Sequence, residues 1–133
     1  MKHIKKALVT GANGFIGSHL CDYLLAHDVE VIGLVGPSGN TSKLALSMQS
    51  KAFSHQQLKF DDASALRQAM QGVDVVFHVA ALAKDWGKAA WYQQSNVEAT
   101  QQVLTACEEA EVTRIVFISS VSCLLYTSPS PRD

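Results

Sequence analysis

One glycine-rich segment constrains the fold of this chain more than any other feature: Thr10-Gly11-Ala12-Asn13-Gly14-Phe15-Ile16-Gly17. It follows the short apolar run 7–9 and precedes a helical pattern over residues 18–27, so the predicted order is strand, tight turn, helix. Glycines let such a turn close and bring backbone N–H groups next to a pyrophosphate, and the positive end of the helix attracts the same anion. The flanking strand and helix favour a dinucleotide site over the alternative, an ordinary structural turn. The residues expected to line this site are Gly11, Asn13, Gly14, Phe15, Ile16 and Gly17.

The remainder of the chain alternates between strand and helix patterns. After the first strand, the patterns predict strands at 29–35, 57–60, 73–79 and 114–119, a loop and short helix at 41–50, and helices at 64–71 and 91–110. The run 115–118 is apolar throughout, which is typical of a parallel strand buried on both faces. Because crossovers between parallel strands are right-handed, these elements predict an α/β fold with a doubly wound parallel sheet in the order 3-2-1-4-5.

Composition limits the class of protein. The 133 residues are 47% hydrophobic and carry 11 Lys and Arg against 12 Asp and Glu, a net charge of −1. This balance suits one soluble domain and argues against a basic arm for nucleic acid or a disordered tail. No apolar stretch is long enough to span a bilayer, and the basic start leads into the first strand rather than forming a signal peptide. Cys21, Cys107 and Cys123 show no metal or disulfide spacing, so we expect a cytoplasmic protein with no metal site. From the charge balance and the short apolar runs, we expect no nucleic-acid partner and no membrane partner.

The glycine spacing is G-x-x-G-x-x-G, and residues 14–20, Gly-Phe-Ile-Gly-Ser-His-Leu, resemble the extended short-chain dehydrogenases/reductases, the NAD-dependent epimerase/dehydratase family. The resemblance extends through residue 122 and implies a Rossmann fold that binds NAD or NADP. Residues 78–81, His-Val-Ala-Ala, resemble the end of the family's fourth strand, where Ala80 and Ala81 would pass under the cofactor; an ordinary strand end is the alternative. Residues 96–100 resemble the family's N-V-x-x-T signature, in which the Asn ties a helix to the active-site strand; a solvent-facing Asn is the alternative.

A hydroxyl-rich segment follows the predicted fifth strand. Residues 115–122, Ile-Val-Phe-Ile-Ser-Ser-Val-Ser, resemble the strand that delivers the family's catalytic serine, and the alignment gives that role to Ser120. Its neighbours Ser119 and Ser122 have the same chemistry, and such residues also end strands by bonding their own backbone. In the family a Y-x-x-x-K pair completes the site: the tyrosine transfers a proton and the lysine lowers its pKa. Tyr126 does not supply that pair, because residue 130 is serine.

Two positions depart from the family pattern. An acid that grips the adenosine ribose in NAD enzymes would stand at Val35, and an arginine typical of NADP enzymes would stand at Gly36, so the preference between NAD and NADP stays open. The family places a Gly-Asp after the third strand, with the carboxylate reaching the adenine amino group. Here the segment is Phe60-Asp61-Asp62; Asp61 is assigned that role, and Asp62 is assigned a helix N-cap.

The last eleven residues, 123–133, do not fit this fold. They contain two prolines and resemble translated adapter sequence from a sequencing library, with a natural proline-rich tail as the alternative. We therefore expect an incomplete cofactor domain over 1–122 and a foreign tail over 123–133. Such a fragment would bind the cofactor at best, would leave the fifth strand as an open apolar edge, and would uncover Val103 and Ala106 on the long helix.

The resemblance leaves several functions open for the complete protein. It implies an enzyme that transfers a hydride at a carbon bearing a hydroxyl or carbonyl group. That enzyme would be either a sugar-nucleotide epimerase or dehydratase, or a ketone or aldehyde reductase. A different class is a non-catalytic regulator that senses NAD(P). The expected partners are a small-molecule substrate, either a sugar nucleotide or a hydroxy or keto compound, and a second copy in a homodimer.

Overall fold

The fold is a parallel sheet with helices on both faces, described here by a computed structural model over residues 4–35, 41–58, 62–79 and 100–118. The strands are β1 (Lys6–Thr10), β2 (Glu30–Val35), β3 (Phe53–Gln57), β4 (Val75–Val79) and β5 (Ile115–Ile118). The helices are α1 (Phe15–Ala26), α2 (Ala63–Ala69) and α3, which is described over 100–109. Two short 3-10 turns, Ser42–Leu44 and Ser47–Gln49, connect β2 to β3.

The order of the described strands is β3-β2-β1-β4-β5, and every pairing between them is parallel. The predicted order 3-2-1-4-5 is therefore confirmed. The chain builds the sheet outward from β1 to β3, then returns past β1 to add β4 and β5 on the other side. The helices that follow β1 and β4 in the chain, α1 and α3, pack on opposite faces of the sheet. In sheets of this type a ligand crevice forms at the carboxyl ends of the two strands where the order changes direction.

The core has two layers because successive side chains of a strand point to opposite faces of the sheet. In β1, Leu8 belongs to one layer, and Ala7 and Val9 belong to the other. The layer with Leu8 includes side chains of α2 and α3, namely Leu66, Ala69, Met70, Val103, Ala106 and Cys107. The opposite layer includes side chains of α1, namely Cys21 and Leu24. Helices thus cover both faces, as a doubly wound sheet requires.

The long helix is better covered than the sequence led us to expect. Val103 and Ala106 are 0% and 2% exposed, so the expectation that they lie uncovered is wrong. The cover comes from α2: Met70 is fully buried beside α3, and its sulfur lies 3.7 Å from the Cys107 sulfur. An ion pair between Arg67 and Glu109, at 3.3 Å, joins the two helices at the solvent-exposed rim.

The third strand lies earlier in the chain than predicted. Pairing with β2 begins at Phe53, four residues before the predicted start at residue 57, and Ser54, His55, Gln56 and Gln57 are all exposed. A strand at the edge of a sheet needs few apolar residues, and polar side chains protect it from pairing with another chain. The hydrophobic pattern therefore missed β3, since that pattern reports burial rather than backbone pairing.

The fifth strand is only partly buried. β5 pairs with β4, and no other described strand pairs with it. Val116 is 36% exposed and Phe117 is 54% exposed, so the expectation of burial on both faces is wrong for the described residues. The continuous apolar run thus marks a strand with an exposed apolar surface.

The chain leaves α1 and α3 through the same turn. Asp28 and Glu111 both adopt a positive φ, at 64° and 63°, directly after these helices. Each is followed by a buried valine whose N–H donates to a carbonyl of the last helical turn: Val29 to Leu24 at 3.1 Å, and Val112 to Cys107 at 2.8 Å. This is the Schellman arrangement, and at both helix ends it directs the following segment toward the next strand. Among the described residues, no helix is long and apolar enough to cross a membrane.

Candidate functional site

The glycine-rich loop crosses the carboxyl ends of β1 and β4. Gly11 follows the last residue of β1 and has a φ of +64°, a left-handed conformation that side chains rarely tolerate. A Cβ added at Gly11 would lie 3.2 Å from the carbonyl oxygen of Val79, the last residue of β4. The loop therefore passes directly over the end of β4, at the position where the strand order changes direction.

Close packing holds the first turn of α1 against this loop. A Cβ added at Gly17 would lie 2.1 Å from the carbonyl oxygen of Gly11, a distance that no real side chain could occupy. The backbone N–H of Gly14 donates to the same carbonyl at 3.1 Å, and Ser18 N–H donates to Gly14 at 2.9 Å. Gly17 is buried by this contact, so its role is to let helix and loop backbones touch.

Gly14 has the opposite environment. It is the N-cap of α1 and is exposed; a Cβ there would meet only the Gly11 oxygen, at an ordinary 3.4 Å. No side chain caps this helix end, and the first turn carries no acidic residue. The N–H groups and the positive end of the helix dipole are thus available to an anion, and the shape fits a phosphate group. Phe15, which is 68% exposed, stands at the rim.

The loop also lies close to β2, through Ala12. Ala12 is fully buried, and its N–H donates to the carbonyl of Leu34 in β2 at 3.0 Å. A Cβ added at Gly33 would lie 2.9 Å from the Ala12 Cβ, so the loop can lie on β2 only where β2 has a glycine. Sequence reasoning missed Gly33, although a glycine inside an apolar strand signals close approach of another backbone.

A chain of buried hydrogen bonds lies beneath the loop. Thr10 Oγ1 is 2.8 Å from Nδ1 of His78, its register partner in β4, and it also accepts the N–H of Val79 at 3.1 Å. His78 Nε2 is 3.0 Å from Oγ1 of Thr100 in α3. Thr10 is fully buried and His78 is 4% exposed, and burial lowers the pKa of the imidazole. Sequence analysis had placed both threonines in motifs, Thr10 in the glycine segment and Thr100 in the N-V-x-x-T signature, but had given neither a role. The signal was the histidine within an apolar strand.

The described residues bring together one part of the predicted site. Six of the residues expected to line it lie together in the loop after β1 and the first turn of α1: Gly11, Asn13, Gly14, Phe15, Ile16 and Gly17. Four others lie outside the described residues: Asp61, Ala80, Ala81 and Ser120.

Two of the predictions around the adenosine end can be compared with the structure. The predicted N-cap role of Asp62 is confirmed, because its carboxylate accepts the Ala65 N–H at 3.1 Å. Val35 ends β2 as predicted, and its apolar side chain is 1% exposed within the core. Within the parts of the chain that the structure describes, no group of three His, Cys, Asp or Glu side chains could hold a metal ion.

A parallel, doubly wound sheet with a tight glycine loop and an open helix N-terminus at its switch point defines a dinucleotide-binding domain. The chain belongs to the NAD dependent epimerase/dehydratase family, whose model matches residues 7–132.

Known proteins of this family align with most of the chain. A 2-alkyl-3-oxoalkanoate reductase of Shewanella oneidensis is 35% identical over 121 residues, which is 90% of this chain and 29% of the reductase. An uncharacterised UDP-glucose epimerase of Bacillus subtilis is 38% identical over 130 residues, which is 88% of this chain and 40% of the epimerase. The crystal structure of a UDP-glucose-4-epimerase from Stenotrophomonas maltophila with bound NAD and formylated UDP-arabinopyranose matches with a TM-score of 0.75 and 27% identity, covering 90% of this chain and 38% of that one. This chain thus spans between 29% and 40% of the length of these three proteins.

Proposed function

We propose that this chain is the cofactor-binding part of an enzyme that moves a hydride between the nicotinamide ring of NAD or NADP and a carbon bearing a hydroxyl or carbonyl group. The observation that carries the proposal is the environment of the three loop glycines. Gly11 and Gly17 pack closely against backbone, whereas Gly14 is exposed at an uncapped helix end, where an added Cβ would make one ordinary contact at 3.4 Å. Packing within the protein explains why Gly11 and Gly17 are glycines. We propose that close approach of a pyrophosphate explains Gly14.

The proposed division of labour follows from this geometry. The loop and the first turn of α1 hold the pyrophosphate through backbone N–H groups and the helix dipole. Asp61 would accept from the adenine amino group, and Ala80 and Ala81 would leave room beneath the cofactor. Ser120 would orient the substrate oxygen. When bound, the dinucleotide supplies the hydride acceptor or donor.

The substrate class is proposed more broadly. The reductase from Shewanella and the two epimerases are named for different compounds, which supports hydride transfer at a carbon–oxygen centre more than any one substrate. The complete enzyme is proposed to take a sugar nucleotide or a hydroxy or keto compound and to act as a cytoplasmic homodimer. The 133 residues contain no Y-x-x-x-K sequence, so we expect the chain alone to bind cofactor without turnover.

A ligand series tests this proposal on the 133-residue chain. NADH and NADPH are titrated by fluorescence, and ADP-ribose and adenosine then compete with the bound dinucleotide. ADP-ribose retains the pyrophosphate and should displace the dinucleotide, whereas adenosine lacks it and should compete at least tenfold less well, about 1.4 kcal/mol. Equal competition by adenosine, or no binding of either dinucleotide up to about 1 mM, about 4 kcal/mol of affinity, would contradict the proposal.

A further inference from the structure

The buried hydrogen-bond chain beneath the loop has a defined direction. Thr10 Oγ1 accepts the Val79 N–H, and a buried hydroxyl also needs an acceptor for its own proton. Nδ1 of His78, 2.8 Å away, is the acceptor that the described contacts provide. A nitrogen that accepts this proton carries none of its own, and in a neutral ring the proton then lies on Nε2, which has Thr100 Oγ1 as an acceptor at 3.0 Å.

This chain of bonds joins three elements where the sheet ladder ends. The backbone of β1 turns away at Gly11, so its carbonyls no longer follow β4. The Thr10 hydroxyl extends the pairing by one step, since a side-chain oxygen receives the N–H of the last residue of β4. His78 then connects both strand ends to α3 through Thr100. Val79, held in this way, contributes the carbonyl that lies against Gly11.

We propose that Thr10, His78 and Thr100 form a positioning relay that fixes the carboxyl ends of β1 and β4 beneath the bound dinucleotide, with His78 neutral and protonated on Nε2. The inference deepens the proposed function and rests on it, because the crevice that the relay supports is the proposed pyrophosphate site. The three residues act through the glycine loop and do not touch the ligand in this account. The ring of Phe117 in β5 meets the His78 ring edge-on, with centroids 5.9 Å apart, so the relay also contacts the strand that leads toward Ser120.

Isosteric substitutions test the relay in the 133-residue chain. Thr10→Val removes the hydroxyl and keeps the shape, so we expect NADH to bind about tenfold more weakly, as the loss of one or two buried hydrogen bonds implies. Thr10→Ser restores the hydroxyl and should bind within about twofold of the wild-type chain. Thr100→Val should also weaken binding. Thr105→Val is the matched control, since Thr105 lies exposed on the same helix, and it should leave affinity unchanged. All affinities are measured well below the melting temperature of each variant.

A spectroscopic measurement separates the relay from general core packing. In a chain labelled with ¹⁵N-histidine, long-range ¹H–¹⁵N correlations at pH 7 should show His78 with a proton on Nε2 and none on Nδ1, and His78→Asn assigns the signals. A proton on Nδ1, or a Thr10→Val variant that melts earlier yet binds NADH like the wild type, would overturn the relay. If the wild-type chain binds neither NADH nor NADPH, the proposed function fails, whereas the His78 tautomer still decides whether the hydrogen-bond relay exists.

Discussion

Two glycines of the loop are predicted to be required for different reasons, and substituting each one separates fold from function. A Cβ at Gly17 would lie 2.1 Å from the Gly11 carbonyl oxygen and 2.8 Å from its carbon. Both are backbone atoms in a buried turn, so relief requires the loop and α1 to move apart. Overpacking of this kind costs about 3 kcal/mol or more, which for a chain of this size corresponds to a fall in melting temperature of about 10 °C.

The same reasoning gives a different result at Gly14. Its φ of −85° and ψ of 176° are open to any residue, and the nearest atom to an added Cβ is 3.4 Å away. Gly14→Val should cost only about 0.5–1 kcal/mol, because valine is a poorer N-cap than glycine. It should nevertheless weaken NADH binding by at least about a hundredfold, about 2.7 kcal/mol, because the isopropyl group occupies the space proposed for the pyrophosphate.

Thermal melts and NADH titrations of both variants, with Gly14→Ala as a smaller step at the same position, check these outcomes. The expected pattern is a cooperative melt near the wild-type temperature without binding for Gly14→Val, and a clearly lowered melt for Gly17→Ala. The reasoning is refuted if Gly14→Val binds NADH as tightly as the wild-type chain. It is equally refuted if Gly17→Ala melts like the wild type, because the loop and helix would then not be in contact.

Three further outcomes follow from single side chains. Burial raises the pKa of the Cys21 thiol to about 12 and that of Cys107 to about 11. In a Cys123→Ser chain, a disulfide reagent at pH 8 should therefore label neither thiol unless the chain unfolds. Rapid labelling of either thiol would contradict the buried core. Hydrogen bonds from two backbone N–H groups lower the pKa of Asp74. The stabilisation by its carboxylate should therefore be present at pH 7 and lost as the pH falls below about 4. In urea unfolding, the stabilities of Asp74→Asn and wild type should differ at pH 7 and converge at low pH. Glu111 has a left-handed φ of 63°. Because glycine adopts this conformation without strain, Glu111→Gly should raise the free energy of unfolding by about 1 kcal/mol. An unchanged or lower urea midpoint would argue against strain at this helix end.

The site could be anticipated only where its chemistry is local. The glycine segment was found because a tight turn, a helix start and an anion cradle all draw on adjacent residues. The contact of Gly33 with Ala12 was missed, although both residues are plain in the sequence. Nothing near Gly33 in the chain indicates which backbone comes close to it. The N-cap at Asp62 was predicted correctly, since its partner is the N–H of Ala65 three residues later.

The sequence by itself determined the alternation of strands and helices and the position of the dinucleotide loop, because hydrophobic periodicity and turn chemistry are properties of neighbouring residues. The strand order could be predicted as well, because crossovers between parallel strands are right-handed. Tertiary structure decided which polar strand forms the edge, since β3 is held by backbone pairing with β2 rather than by an apolar pattern. It also decided that Val103 is buried, because α2 supplies the cover. The bond between Thr10 and His78 joins residues 68 positions apart. Such a contact exists only once β1 and β4 lie side by side, so the physical reason is proximity that the fold creates and the local sequence does not encode.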